Sequence, residues 1–202
     1  MNRRLGVLIS GRGSNLQAII EAIASRRLDA SIAVVISNRP GVEGLARARA
    51  AGLSAEVLEH KAFASRRAYD VALIEVLRRH DVGLVCLAGF MRLLGPEFVN
   101  AFPNAVLNVH PSLLPSFPGV DAQKQALEHG VQVTGCTVHV VTAELDAGPI
   151  IAQSAVPVLP GDSVEALSAR ILEQEHRLYP EAIGQVLAGG WRVAGRRFVA
   201  PA

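Results

Sequence analysis

Asn108 and His110 lie in an apolar run, residues 106–110, that leads into a proline-rich loop. Because side chains alternate along a strand, the two polar groups project from the same face of a predicted strand. Polar groups on a buried strand need partners, and open α/β sheets bind their ligands at the carboxyl ends of strands. An amide beside an imidazole can stabilise an oxygen that gains negative charge and can carry a proton. We therefore predict the reaction centre at this stretch.

A carboxylate and a second imidazole are candidates to join this centre. Asp146 precedes a Gly-Pro pair, so it is interpreted either as a turn former or as a proton partner for the imidazole. His139 lies on a predicted strand, on the same face as Thr137. It is interpreted first as a core histidine with satisfied hydrogen bonds, and alternatively as a neighbour of the site.

A glycine-rich turn follows the first predicted strand and opens a helix. Gly11 and Gly13 allow close backbone approach, and free N–H groups at a helix start favour a phosphate. Leu16 replaces the third glycine of a dinucleotide motif, and no Gly-Lys-Ser/Thr follows, so a monophosphate fits better than a dinucleotide or a nucleoside triphosphate. Ser14 and Asn15 add donors, although a tight turn with a helix cap explains them equally well.

Two further pairs of residues are candidates for binding. Arg66 and Arg67 stand in the first turn of a predicted helix, where a cation opposes the helix dipole. They are either solvated residues or partners of an anion. Phe90 and Met91 follow an apolar strand and are interpreted either as core residues or as the apolar wall of a pocket for a flat ring.

Apolar runs alternate with helical patterns along the whole chain, and the opening βαβ unit implies parallel strands with right-handed crossovers. Strands are predicted over residues 5–9, 31–36, 53–58, 82–88, 106–110, 134–141 and 150–156, a late helix from residues 162–165 to His176, and a terminal hairpin over residues 191–199. The predicted fold class is α/β, a mostly parallel Rossmann-like open sheet flanked by helices. We expect a single domain over residues 1–202, with a phosphate-binding half of about residues 1–100 and a catalytic half of about residues 101–190.

Charge and cysteine usage exclude several classes of protein. The formal charge of +2 over 202 residues, without a basic block, gives no reason to expect nucleic acid or a membrane surface as partner. The first apolar run is far shorter than the roughly 20 residues of a membrane span, so it is interpreted as the first strand of a cytoplasmic protein. Cys86 and Cys136 form no ligand cluster and are expected to be buried free thiols.

Taken together, several stretches resemble the phosphoribosylglycinamide formyltransferase family of folate-dependent enzymes. They are residues 10–16, 88–92, 107–115, 134–139 and 145–149. The resemblance extends from about residue 5 to about residue 190. It implies the formyltransferase fold and transfer of the formyl group of 10-formyltetrahydrofolate to the amine of glycinamide ribonucleotide in de novo purine biosynthesis. It implies a monomer or homodimer and no metal.

The resemblance also assigns roles to individual residues. The implied catalytic trio is Asn108, His110 and Asp146; the implied substrate site is Gly13, Ser14, Asn15, Arg66 and Glu175; and the implied folate site is Phe90, Met91, Arg92, Leu94, Val141 and Thr142. Asp121 and Gln123 stand where some relatives carry histidines, so neither can play a histidine's part in the substrate loop.

Other functions compete with this interpretation. A formyltetrahydrofolate hydrolase would use the same trio to hand the formyl group to water, but such relatives usually carry an additional amino-terminal domain, which a first strand by residue 5 does not suggest. A methionyl-tRNA formyltransferase would need a further domain and a basic surface. A non-catalytic nucleotide-binding module would have no use for the trio.

Overall fold

The computed structural model describes residues 2–201, and the chain divides into two compact units. The first unit runs to Leu107 and the second starts at Asn108. The boundary falls within strand β5, Val106–His110. Asn108 and His110 therefore belong to the second unit.

The first unit is a parallel α/β arrangement. Its elements are β1 (Arg4–Ile9), α1 (Ser14–Ala24), β2 (Ser31–Ser37), α2 (Glu43–Ala50), β3 (Ala55–Val57), α3 (Arg66–Arg79), β4 (Leu84–Leu87) and α4 (Pro96–Ala101), with a 3₁₀ turn at His60–Ala62. The strand order is β3-β2-β1-β4, and each of these pairs is parallel. The apolar side chains of β1 are fully buried, as expected of a parallel strand that is covered on both faces.

The strand order reverses direction at β1. The chain moves from β1 outward through β2 to β3, and then returns to place β4 on the other side of β1. In open α/β sheets, ligands bind beyond the carboxyl ends of the strands at such a switch point. In this unit that position is occupied by the turns that begin at Ser10 and Gly89.

The second unit is mixed. After the end of β5 it contains α5 (Ala122–Glu128), β6 (Val133–Val140), β7 (Ile150–Pro157), α6 (Val164–Ala188), β8 (Arg192–Ala194) and β9 (Arg197–Val199). The strand order is β5-β6-β7-β9-β8. Strand β6 pairs antiparallel with β7, and β9 pairs parallel with β7 and antiparallel with β8. The predicted terminal hairpin is therefore present, and Trp191 stacks on Phe198 with ring centroids 5.0 Å apart.

Helix α6 is longer than the sequence pattern indicated, because it continues through Pro180 to Ala188. A proline inside a helix removes a backbone hydrogen bond and costs about 3 kcal/mol. Burial of Tyr179, Ile183 and Val186 along the same helix offsets that cost. The third strand is shorter than predicted, spanning only Ala55–Val57. No helix among residues 2–201 combines the length and the apolar character needed to cross a membrane.

The start of α6 gives a test of helix capping. The Ser163 hydroxyl accepts a 3.2 Å hydrogen bond from the backbone N–H of Ala166. Ser163→Ala removes this cap and should lower the free energy of unfolding by about 1 kcal/mol in urea titrations. Ser168→Ala, inside the same helix, is the matched control and should change it by less than about 0.5 kcal/mol, since alanine has the higher helix propensity. Equal losses for the two variants would contradict the assigned cap.

Candidate active site

The Asp146 carboxylate is the centre of a side-chain cluster in the second unit. Its Oδ2 lies 3.5 Å from Nδ1 of His110 and accepts a 2.8 Å hydrogen bond from the backbone N–H of Gly119. Its Oδ1 lies 3.6 Å from Nε2 of His139. The Asp146 side chain is only 8% exposed. The structure thus brings His110 and Asp146, two members of the predicted trio, into contact.

Asn108, the third member, reaches this cluster through His139. Its amide Nδ2 lies 3.2 Å from Nε2 of His139, and Nδ1 of His139 lies 3.1 Å from the carbonyl oxygen of Val140. Because a carbonyl oxygen only accepts, Nδ1 of His139 carries a proton, and Nε2 lies between the Asn108 amide and the Asp146 carboxylate.

His139 lies in this cluster, although its first interpretation placed it only in the core. The first interpretation, a core histidine, fits its 2% exposure. However, its ring contacts both Asn108 and Asp146, so it belongs to the site. Its position on one face of β6 was the only sequence signal, and alternation along one strand does not reveal the neighbouring strand.

Both ring nitrogens of His110 face oxygen atoms. Nε2 lies 2.8 Å from the carbonyl oxygen of Phe117, while Nδ1 faces Asp146. The Nε2 atom must therefore carry a proton in this arrangement. The hydroxyl of Ser112 donates to the carbonyl oxygens of Ser116, at 2.5 Å, and Phe117, at 3.3 Å, so this loop is held in place beside the imidazole.

The environment of Asp146 favours its ionised form. Burial raises the pKa of the Asp146 carboxyl, but the hydrogen bonds from His139 and Gly119 and the charges of His110 and His139 lower it by more. The net pKa lies below the ordinary value of an aspartate. Asp146 is therefore a carboxylate at neutral pH and can accept a proton rather than supply one.

The predicted phosphate turn lies in the first unit, at the start of α1. Gly13 has a φ of 72°, and a Cβ atom there would come within 2.6 Å of the Cα of Gly44. No side chain caps the helix, which starts at Ser14 and continues through the buried Asn15. The N-cap residue, Gly13, thus has no side chain with which to cap the first turn.

Arg66 and Arg67 differ in their surroundings. Arg67 forms a 3.1 Å ion pair with Glu97, which accounts for its charge. Arg66 is exposed and lies near the buried Asp70. Burial raises the pKa of Asp70 above its ordinary value, although the hydrogen bond from Gly95 and the charge of Arg66 act to lower it. The role of Arg66 in substrate binding stays a prediction.

The turn after β4 carries the residues predicted to contact folate. Phe90 is 8% exposed, whereas Met91 is 66% exposed, so Phe90 packs in the core and Met91 presents an apolar surface. The guanidinium carbon of Arg92 lies 5.9 Å from the centroid of the Tyr69 ring. The buried Asp70 accepts a 2.7 Å hydrogen bond from the backbone N–H of Gly95 and so anchors the end of this segment, just beyond the half-buried Leu94.

Val141 and Thr142, the other predicted folate contacts, lie in the second unit between β6 and Asp146. Both are half-buried, and the hydroxyl of Thr142 donates to the carbonyl oxygen of Glu144 at 3.3 Å. At the other end of this loop, Arg196 of the terminal hairpin donates a 2.9 Å hydrogen bond to the carbonyl oxygen of Ala147. The hairpin thus contacts the loop that carries Asp146.

The remaining predicted residues also lie in the second unit. Glu175 is 6% exposed on α6, next to Gln174, which accepts a 3.0 Å hydrogen bond from the hydroxyl of Ser154. Asp121 precedes α5 with a φ of 55° and makes no side-chain cap, and Gln123 is half-buried in its first turn. Neither side chain joins the Asp146 cluster.

The two cysteines are predicted to be structural and to form no ligand cluster. Cys86 and Cys136 are buried free thiols, as predicted, and burial raises the pKa of Cys136 to about 12. Within residues 2–201, no three His, Cys, Asp or Glu side chains are grouped so that they could hold a metal ion.

The lowered pKa of Asp146 predicts a pH-dependent contribution to stability. Because the pKa is lower in the folded than in the unfolded chain, the contribution is complete above about pH 4 and is lost as the pH falls through the folded value. The stability difference between the unsubstituted protein and Asp146→Asn, measured by urea unfolding, should therefore be constant above about pH 5 and shrink over the interval below about pH 4. A difference that stays constant over this interval would contradict the assigned interactions.

Comparison with known proteins relates this geometry to a family. The formyl transferase family profile matches residues 3–183. The phosphoribosylglycinamide formyltransferase of Escherichia coli is 49% identical over 177 residues, which cover 88% of this chain and 84% of that protein. The chain also matches trifunctional purine biosynthetic proteins such as that of Gallus gallus, at 50% identity, but spans only 19% of that protein's length.

Solved structures agree with the sequence comparison. A glycinamide ribonucleotide transformylase from Symbiobacterium toebii is 55% identical, with a TM-score of 0.98 over 100% of this chain and 95% of the other. A formyltetrahydrofolate deformylase from Pseudomonas syringae is 27% identical, with a TM-score of 0.91 over 67% of its own chain. These likenesses confirm the predicted α/β fold class, a mostly parallel open sheet flanked by helices. The chain belongs to the formyl transferase family, and its resemblance to the phosphoribosylglycinamide formyltransferases is confirmed.

Proposed function

We propose that this protein transfers the formyl group of 10-formyltetrahydrofolate to the amine of glycinamide ribonucleotide, a step of de novo purine biosynthesis in the cytoplasm. The observation that carries the proposal is the cluster of Asn108, His110, His139 and Asp146 in a member of this family. A protein that only bound nucleotides would not need to bury an ionised carboxylate against two imidazoles.

The reaction determines which groups the site must supply. The substrate amine attacks the formyl carbon and produces a tetrahedral intermediate whose oxygen is negatively charged. Asn108 offers to that oxygen the N–H of its Nδ2 group that does not face His139. His110 offers a second N–H. Removal of one such donor typically costs on the order of 10²–10³ in rate.

The donor of His110 is engaged before the substrate arrives. Its Nε2–H points to the carbonyl oxygen of Phe117 at 2.8 Å. We propose that the oxygen of the formyl group replaces this carbonyl as acceptor. The exchange retains one hydrogen bond on the imidazole and gains a negatively charged partner, which makes the bond stronger in the intermediate than in the unliganded protein.

A proton must then move between two nitrogens. The bond from the amine nitrogen to the formyl carbon forms, and the bond from that carbon to N10 of the folate breaks. The amine loses a proton and N10 gains one. Asp146, ionised and beside His110, is suited to attract and relay this proton through the imidazole or a water molecule.

Substrate binding is assigned to the residues that the family resemblance implies. The backbone at Gly13, Ser14 and Asn15 holds the phosphate, because the start of a helix directs N–H groups and the positive end of the helix dipole towards an anion. Arg66 adds positive charge, and Glu175 receives the amine end of the substrate. The formylfolate contacts the turn after β4 and the residues that follow β6, which are Phe90, Met91, Arg92, Leu94, Val141 and Thr142.

A direct assay tests the proposal. Tetrahydrofolate release from 10-formyltetrahydrofolate is measured with and without glycinamide ribonucleotide. Release that requires the ribonucleotide supports the transferase. Equal release in its absence identifies a hydrolase instead, and no release under either condition identifies a non-catalytic binding module.

Substitution of Asn108 tests the assignment of the oxyanion donor. Asn108→Ala should lower kcat by a factor on the order of 10²–10³ and leave the KM of both substrates nearly unchanged, since the donor acts mainly in the transition state. Asn100→Ala, at an exposed position of α4, is the matched control and should retain full activity. Near-normal turnover by Asn108→Ala would show that the amide does not serve as this donor.

A further inference from the structure

Ser10 lies at the switch point of the first unit, where the carboxyl ends of β1 and β4 are neighbours. Its backbone N–H donates a 3.1 Å hydrogen bond to the carbonyl oxygen of Gly89. Its hydroxyl oxygen accepts a 2.8 Å hydrogen bond from the backbone N–H of Met91. One residue thus holds the backbone on both sides of Phe90.

The Ser10 hydroxyl is itself held by two further polar residues. Its proton is donated to Oδ1 of Asn38 over 2.6 Å, at the end of β2. Nδ2 of Asn38 lies 3.2 Å from Nδ1 of His60, which also lies 3.1 Å from the Asn38 carbonyl oxygen. Ser10 and Asn38 are 5% and 2% exposed, so water does not compete for these bonds.

The turn that Ser10 holds is restrained on one side by Phe90, which packs in the core. Gly89 has a φ of 73°, and the Met91 side chain is mostly exposed, so packing does not fix the backbone at Met91. The end of the segment is fixed by the bond from Gly95 to Asp70. The segment of residues 90–94 is therefore held by hydrogen bonds to two buried polar residues, Ser10 near its start and Asp70 just beyond its end.

We infer that Ser10, oriented by Asn38 and His60, is a positioning residue for the turn that binds formylfolate. The inference rests on the proposed function, because that function assigns folate contacts to residues 90–94. Since a backbone displaced by 1 Å presents its N–H and C=O groups wrongly, loss of this anchor weakens binding of the flat ring without removing any group that touches it. Ser10 also directly precedes the predicted phosphate turn, so the carboxyl end of β1 contributes to the proposed binding sites of both substrates.

Ser37 provides a matched comparison. Its hydroxyl is also buried at the end of a neighbouring strand, and within residues 2–201 it bonds to the backbone of Arg39, as donor at 2.7 Å and as acceptor at 3.1 Å. Ser10→Ala and Ser37→Ala remove the same atom from similar surroundings. Only the first detaches the turn at Met91.

The first measurement is a comparison of kinetic constants and binding. Ser10→Ala should raise the KM for 10-formyltetrahydrofolate and the Kd for tetrahydrofolate about tenfold, as expected for one buried hydrogen bond. The KM for glycinamide ribonucleotide and kcat should stay within about twofold. Ser37→Ala should leave all of these within about twofold.

Asn38 supplies a second, independent variant. Asn38→Ala removes the acceptor that orients the Ser10 hydroxyl and should raise the KM for 10-formyltetrahydrofolate about threefold to fivefold. The variant that combines Ser10→Ala with Asn38→Ala should have a KM for 10-formyltetrahydrofolate within about twofold of that of Ser10→Ala, because both substitutions act through one chain of hydrogen bonds. If Ser10→Ala fails to fold, Asn38→Ala alone decides, and an unchanged KM for that variant overturns the inference.

Amide hydrogen exchange at Met91 reports on the hydrogen bond to Ser10 independently of catalysis. The backbone amide of Met91 should exchange with solvent faster in Ser10→Ala and at the normal rate in Ser37→Ala. An unchanged exchange rate at Met91, or equal KM changes in the two serine variants, overturns the inference and leaves the proposed function intact. Failure of the unsubstituted protein to bind tetrahydrofolate overturns both.

Discussion

Burial of the Asp146 carboxylate is the constraint on which the geometry of the second unit depends. An ionised carboxylate away from water costs several kcal/mol unless partners compensate for the lost hydration. His110, His139 and the backbone N–H of Gly119 provide that compensation. These partners come from β5, from β6 and from the loop between β5 and α5. One buried charge therefore ties three segments of the chain to one another.

The loop after β5 is also secured from the side of β6. The hydroxyl of Thr137 donates to the carbonyl oxygen of Ser112 at 2.7 Å and accepts from the backbone N–H of Leu114 at 3.0 Å. Gln153 of β7 donates to the carbonyl oxygen of Leu114 at 2.9 Å and to Thr137 at 3.0 Å. Donors and acceptors around His110 are thus placed before any substrate binds, and such preorganisation is what catalysis by hydrogen bonds requires.

Sequence reasoning succeeded where a residue's type determines its surroundings. Continuous apolar runs located β1, β2 and β4, because strands covered on both faces are mostly apolar. It failed where a contact depends on which strands become neighbours. The role of His139 follows from the position of β6 beside β5, and no spacing along β6 encodes that. The pattern also missed the length of α6, since burial along its last turns outweighs the local cost of Pro180.

Small polar residues at strand ends are the least predictable part of the protein. Ser10 looks like an ordinary member of a glycine-rich turn, and Asn38 looks like a residue that ends a strand. Their partners lie far away in the sequence, at Met91 and His60. Only the folded arrangement shows that they form one chain of hydrogen bonds.

The contact between Gly13 and Gly44 means that the shape of the phosphate turn is specified by two separate segments. Gly13 lies against Gly44 at the start of α2, and the backbone N–H of Gly44 donates a 3.1 Å hydrogen bond to the carbonyl oxygen of Gly11. Helix α2 carries none of the predicted site residues. The first turn of α1 therefore contains only part of the sequence that shapes this predicted anion site, because the turn also needs a residue without a side chain at position 44.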